Sequence, residues 1–436
     1  MKFCQKNLTN GMKIIFVNSK ITQMISIGFF VSSGSINDPI DKPGIAHCIE
    51  HMMFKGTHNR SAHQLLTELD NIGATYNAAT SKEYSYYYVY GNNSHTKILL
   101  DIILDIYKNP IFPLHELEKE SRVIESEISI KLNSIDQQIS FVIDKIFFKN
   151  YNNDNDLQRD LNYIKKIKQA DLLDFYQKNY NPKNIIFIVT GNFNANLVFY
   201  QMKNHLENIP NKFNSEADNK FNYLANGSTN NSTNGLTNNL STDKSVKFLL
   251  PNKYYVKSMT QFNHGYIVLT FPILNLYNID DIFIDIISII LSRGLSSRLA
   301  LILREKNSLS YSFNARYISR QMEKVYLIET VVKPCLINDV IELLIEELKN
   351  IQSDSVSKIE LQKAINMYKN ELLDTMIKPV DIMKFLGKKC VTNKKYKFSI
   401  STIIKKCDSI NLKIINDVIK KIFILDNMKI IIIKNY

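Results

Sequence analysis

The stretch Gly44–Thr57, GIAHCIEHMMFKGT, places two histidines and a glutamate within five consecutive positions: His47, Glu50 and His51. On an α-helix, residues four apart share a face, so His47 and His51 project one turn apart and can converge on a single ion. Glu50 stands beside them without being forced into the coordination sphere, which is where a base next to a metal would sit. Cys48 is turned about 100° from His47 on the same helix and is expected to pack rather than ligate.

A catalytic zinc site takes three protein ligands and leaves one position open, so a third ligand must come from elsewhere. The segment EKESRVIESEI supplies a candidate: Glu120 and Glu127 are seven residues apart and share a helix face, while Glu125 points to another side. Glu127 is read as the third ligand and Glu120 as its support, which makes Zn2+ the expected cofactor. The bland reading is a satisfied histidine pair and a solvated acidic helix. With only eight histidines in the chain, two at ligand spacing about a glutamate, followed by a suitable carboxylate helix, favour the metal.

Around this motif the 436 residues, 45% hydrophobic and 22% charged, have globular composition and suffice for two domains. Apolar runs such as IIFIV and IISIIL fall well short of the roughly 18 residues that cross a bilayer, so no membrane association is expected. The first residues resemble neither a secretory nor an Arg-rich targeting leader, and the expectation is a cytoplasmic protein. Five cysteines without a C-x-x-C pair read as free thiols. The net charge of +12 comes largely from dispersed lysines, with no aromatic-interleaved basic run, so no nucleic-acid partner is expected.

The first half alternates element types. Strands are expected at Lys13–Val17, Met24–Val31, ATYNAAT, YSYYYVYG and NIIFIVTG, and helices at Ala62–Ile72, HTKILLDIILDIYKN, LEKESRVIESEISIKL and QADLLDFYQKNY. The polar tract NGSTNNSTNGLTNNLSTDKS cannot bury enough surface to order itself and reads as a linker. Beyond it the plan repeats: strands near Val246 and at YIVLTFP, a helix at Asp280–Leu291, a turn at Gly294, a helix SSRLALILREK, strands LSYSFNARY and KVYLIETVV, long helices and a last strand MKIIIIKNY. No H-x-x-E-H occurs in this half. The expected fold class is α+β, two similar lobes, each a mainly antiparallel sheet packed against helices. The expected boundaries are 1–212 for the metal-binding domain, 213–245 for the linker and 246–436 for a homologous domain without metal.

These residues resemble the pitrilysin-type (inverzincin) zinc metallopeptidases, and the length resembles that family's two-domain, processing-peptidase-like branch. In that family the H-x-x-E-H helix is followed about 76 residues later by the ligand glutamate, the separation of His51 and Glu127 here. The resemblance implies His47, His51 and Glu127 as zinc ligands, Glu50 as general base and Glu120 as supporting carboxylate. YNAATSKEYSYYY looks like the family's substrate-binding edge strand, which implies peptide binding at Asn77, Ala78, Ala79 and Thr80. GLSSRLALILREKNSLSY looks like its second-lobe segment, which implies that Arg304 and Tyr311 approach the substrate carbonyl. Where processing peptidases carry acidic residues for a substrate arginine, this chain has Gln137 and Phe141. The implied function is a zinc metalloendopeptidase in which two lobes form a clamshell around a chamber admitting short or unfolded peptides, as a homodimer or beside a homologous subunit. The alternative is a non-catalytic scaffold or partner subunit.

Overall fold

The computed structural model describes residues 2–148, 157–211, 254–259, 263–273, 280–320, 323–393, 396 and 398–435. The expected linker at 213–245 and the strand expected near Val246 lie outside the described residues.

The first sheet has six strands: β1 (Lys2–Asn7), β2 (Lys13–Asn18), β3 (Met24–Val31), β4 (Thr75–Thr80), β5 (Ser85–Asn92) and β6 (Ile185–Gly191). They lie in the order β1-β2-β6-β3-β5-β4; β2 and β6 are parallel and the other neighbours antiparallel. Five strands form a second sheet: β7 (Tyr254–Ser258), β8 (Gly265–Pro272), β9 (Ser312–Arg320), β10 (Glu323–Val332) and β11 (Lys429–Lys434), in the order β7-β11-β8-β10-β9. Its one parallel pair is β11 with β7. Strand for strand, the described strands of the second sheet repeat β2 to β6 of the first. This bears out the α+β class with two similar lobes.

The helices of the first half are α1 (Ile45–Met52), α2 (Ala62–Asn71), α3 (Thr96–Lys108), α4 (Leu114–Leu132), α5 (Ile135–Phe147), α6 (Leu157–Ile164), α7 (Gln169–Asn179) and α8 (Ala195–Leu206). In the second half they are α9 (Asp281–Ser292), α10 (Ile337–Ser353), α11 (Lys358–Thr375), α12 (Pro379–Thr392), α13 (Ile400–Asp408) and α14 (Leu412–Ile422). None of the described helices is long and apolar enough to cross a membrane. The described cysteines form no disulfide.

Contacts divide the chain into two compact units, each with its own apolar core. The units exchange segments relative to the sequence. Helix α12 belongs to the first unit, although the expected boundary of 246–436 placed it with the second half. It lies against β3 and β6, close enough that a Cβ on Gly387 would come 2.0 Å from the Phe30 ring and one on Gly28 2.7 Å from Met383 Sδ. Two glycines thus allow a helix to sit on the sheet. Conversely, from Ile139 on, α5 groups with the second unit, where Asp144 pairs with Arg320 of β9 at 3.3 Å.

One expected helix is corrected. SSRLALILREK does not continue as an α-helix; Ala300–Glu305 winds as a π-helix, with the Lys306 N–H reaching Leu301 O five residues back. Such wide turns are rare and have no simple residue signature.

Candidate metal centre

Helix α1 is built from its buried side outward. Ile45, Ala46, Cys48, Ile49 and Met52 are buried, which fixes the helix in the first core and leaves His47, Glu50 and His51 half-buried on the opposite face. Its start is set by Gly44 at φ +81°, a conformation that glycine adopts freely. The Asp38 carboxylate accepts from Gly44 N–H at 2.8 Å and from Ala46 N–H at 3.1 Å, satisfying two of the helix's unpaired donors. Sequence reading missed Asp38, which lies six residues before Gly44 across an irregular loop.

Helix α4 brings its carboxylates to this face. His51 Nε2 lies 3.2 Å from Glu127 Oε2, and His47 Nε2 lies 3.6 Å from Glu127 Oε1. In a tetrahedral zinc site with ligands about 2.0–2.1 Å from the ion, ligand atoms stand about 3.3 Å apart. Both distances are close to that edge length. The two imidazole rings are perpendicular, centroids 4.9 Å apart, and among the described residues this trio is the one cluster of three whose donor atoms could hold a metal ion. The two nitrogens and a carboxylate are the donor chemistry that zinc takes, so the residues fit it.

Glu120, on one face with Glu127, has different partners. Its Oε2 is 3.0 Å from His51 Nδ1 and its Oε1 is 2.6 Å from Lys55 Nζ. A carboxylate can only accept, so His51 donates from Nδ1 and keeps the Nε2 lone pair for a ligand, an arrangement common around metal-bound histidines. Lys131, one turn beyond Glu127, places Nζ 2.5 Å from Glu127 Oε1. Neither lysine was singled out from the sequence.

The charges shape each group. The nearby His47 imidazole and, against burial, the Lys131 ammonium hold the Glu127 carboxyl far below the ordinary carboxylate range. The hydrogen bond from His51, against burial and with help from Lys55, likewise lowers Glu120. Burial works to lower the His51 pKa, yet the Glu120 hydrogen bond and the charges of Glu50, Glu127 and Glu120 outweigh it and leave it raised. Glu125 is apart from all this, paired with Lys165 at 2.8 Å. Among the described residues Glu50 has no hydrogen-bond or ion-pair partner, which leaves its carboxylate available beside the ligands.

Strand β4, carrying Asn77, Ala78, Ala79 and Thr80, is the last strand of the first sheet, and its first three residues are exposed. Among the described residues no strand pairs with its outer side. It runs past the motif helix: Thr80 Oγ1 lies 3.5 Å from Ala46 O, and the Tyr76 and Phe54 rings are 4.7 Å apart. Arg304 and Tyr311 belong to the second unit, where the structure brings them to each other. The Arg304 guanidinium lies over the Tyr311 ring at 4.7 Å, and Tyr311 is 81% exposed.

Fold and site together define a two-lobed α+β protein in which His47, His51 and Glu127, on one helix pair of its first lobe, could hold a metal ion. Residues 13–161 match the insulinase family (peptidase family M16), and residues 166–368 match the peptidase M16 inactive domain. The chain belongs to peptidase family M16. An uncharacterized zinc protease of Bacillus subtilis is 23% identical over 96% of this chain and 95% of its own length. The mitochondrial-processing peptidase subunit beta of Lentinula edodes is 29% identical over 47% of this chain and 44% of its own. The crystal structure of a protease from Helicobacter pylori shares the fold with a TM-score of 0.81 at 19% identity, covering 99% of both chains.

Proposed function

We propose that the protein is a zinc metalloendopeptidase that cuts internal bonds of short or unfolded peptides. The observation that carries this reading is the convergence of His47, His51 and Glu127 at spacing close to that of a tetrahedral site, beside Glu50, a carboxylate without a partner among the described residues. The names of the full-length relatives point the same way.

Zinc, when held by His47, His51 and Glu127, supplies a Lewis acid that polarises a peptide carbonyl and makes water easier to deprotonate. The chain's own residues do the rest. The outer edge of β4 at Asn77–Thr80 receives the peptide backbone as an added strand, which fixes its register through main-chain hydrogen bonds and leaves side-chain preference loose. Glu50 takes a proton from the attacking water as its oxygen bonds to the carbonyl carbon. As the C–N bond breaks, Glu50 returns that proton to the departing amine. Arg304 and Tyr311 are assigned as donors to the developing oxyanion, each such donor being worth roughly 3 kcal/mol in the transition state. Glu120 holds His51 through Nδ1. The same proposal includes a chamber formed by the two lobes, assembly with a second copy or a homologous subunit, and a cytoplasmic site of action.

A partner subunit without activity is disfavoured because neither the ligand set nor the base has a gap. The test is cleavage of a mixture of unstructured peptides, read by mass spectrometry, with native protein and Glu50→Gln. Internal cuts by the native protein alone support the proposal. Equal cutting by both removes Glu50 as base, and no cutting by native zinc-loaded protein, with or without added homologous subunit, removes the peptidase reading.

A further inference from the structure

We infer that Lys55 is a positioning residue for the metal-ligating imidazole of His51, acting through Glu120. The inference rests on the zinc reading of the site.

Lys55 lies just past the end of α1, in a turn where its N–H reaches Met52 O at 3.1 Å. The next residue, Gly56, has φ +136°, a conformation closed to most side chains, and a Cβ there would meet Pro113 Cγ at 3.3 Å. Gly56 O accepts from Ile111 N–H at 3.3 Å, and Thr57 bridges to Pro110. The turn leaving the histidine helix is therefore fastened to the chain entering the glutamate helix. Lys55 is held where the two ligand-bearing helices meet.

From there its ammonium reaches Glu120. That residue is only 8% exposed, and its carboxylate is divided evenly: Oε1 to Lys55 at 2.6 Å, Oε2 to His51 Nδ1 at 3.0 Å. Among the described residues Glu120 has no other cationic partner. A buried carboxylate with one oxygen unmatched rotates or draws in water to satisfy it, and the oxygen facing His51 moves with it. The Lys55 bond removes that freedom and fixes the plane in which the His51 ring stands. Lys131 differs: it sits one helical turn from Glu127 on a more exposed surface and touches the ligand itself.

The alternative is that Lys55 merely ties α1 to α4. The two roles separate in the full-length protein when zinc affinity, measured by competition with a chelating indicator, is set beside the Tm of the metal-free protein. Lys55→Met is expected to weaken zinc binding about 10- to 100-fold, the usual effect of losing an outer partner of a ligand, and Lys55→Arg to stay within about threefold of native. The double variant Lys55→Met with Glu120→Gln should bind zinc no more weakly than Glu120→Gln alone, since the lysine acts only through that carboxylate. Lys55→Gln replaces the methionine variant if the latter does not fold. Native zinc affinity in folded Lys55→Met, with only a lowered Tm, overturns the inference, as does a double variant whose losses multiply. If native protein binds zinc and Lys55→Met binds it equally, this inference alone fails. If native protein and His51→Ala both fail to bind zinc, the zinc reading of the site fails with it.

Discussion

The two sheets share one plan and differ in what the chain does between equivalent strands. The parallel pair β7 and β11 stands where β2 and β6 stand, and β8, β10 and β9 repeat β3, β5 and β4. Between β3 and β4 runs α1, which buries one side and leaves a polar face with two histidines and a glutamate. Between β8 and β9 runs α9, with nine of its residues buried, followed by the π-helix that carries Arg304. The frame therefore does not require the chemistry. The helix at this place is half-buried in one lobe, where it carries the candidate metal ligands, and almost wholly buried in the other, where it packs.

Glu50→Gln should lower peptide turnover by about 10³-fold or more while zinc content stays native, because it removes the base and leaves the ligands. Retained turnover in a peptide assay would return Glu50 to the solvent-facing side of a helix. Tyr311→Phe should reduce turnover about 10²-fold without changing zinc content or Tm. An unchanged rate would make the second lobe's contribution purely structural. Gly387→Ala should destabilise the fold by about 2–3 kcal/mol in chemical denaturation, since its Cβ would strike the Phe30 ring. A neutral result would mean that α12 is not seated on the first sheet.

The smallest effect is in the pH dependence of the metal-free protein. Glu127 and Glu120 have folded pKa values below their ordinary 4.5, so their contribution is present above that value and is lost as the pH falls through the folded pKa values. His51 has a folded value above its ordinary 6.5, so its contribution is present below 6.5 and is lost as the pH rises through the folded value. Stability from this cluster should peak between about pH 4.5 and 6.5 and vanish from the profile in the triple variant His51→Ala, Glu120→Gln, Glu127→Gln. Zinc uptake should weaken as the pH falls through the His51 titration, opposite in sign to the His51 contribution to stability, because the His51 proton must leave.

Most of this site was legible in the sequence because its residues lie on regular elements. His47 and His51 are one turn apart, and Glu120 and Glu127 two turns apart, so helical spacing alone aligned them. The edge strand at Asn77–Thr80 was legible as a strand from its near-alternation, while the role proposed for it rests on resemblance. What was hidden depends on contacts between distant positions or on irregular backbone. Lys55 and Asp38 act from turns, Lys131 looks like any helical ion pair, and the π-helix at Ala300–Glu305 has the composition of an ordinary amphipathic helix. The exchange of α12 and the end of α5 between units could not be read at all, because pairs such as Gly387 with Phe30 are separated by most of the chain and are joined only by shape.

Whether the first lobe alone holds one zinc on His47, His51 and Glu127 is decided by measuring zinc per chain in the native protein and in the double variant His47→Ala with His51→Ala. About one zinc per native chain and none in the double variant, with both folded, is the expected result. A native protein that takes up no zinc when it is supplied, or a double variant that keeps it, would mean that these residues do not bind the metal.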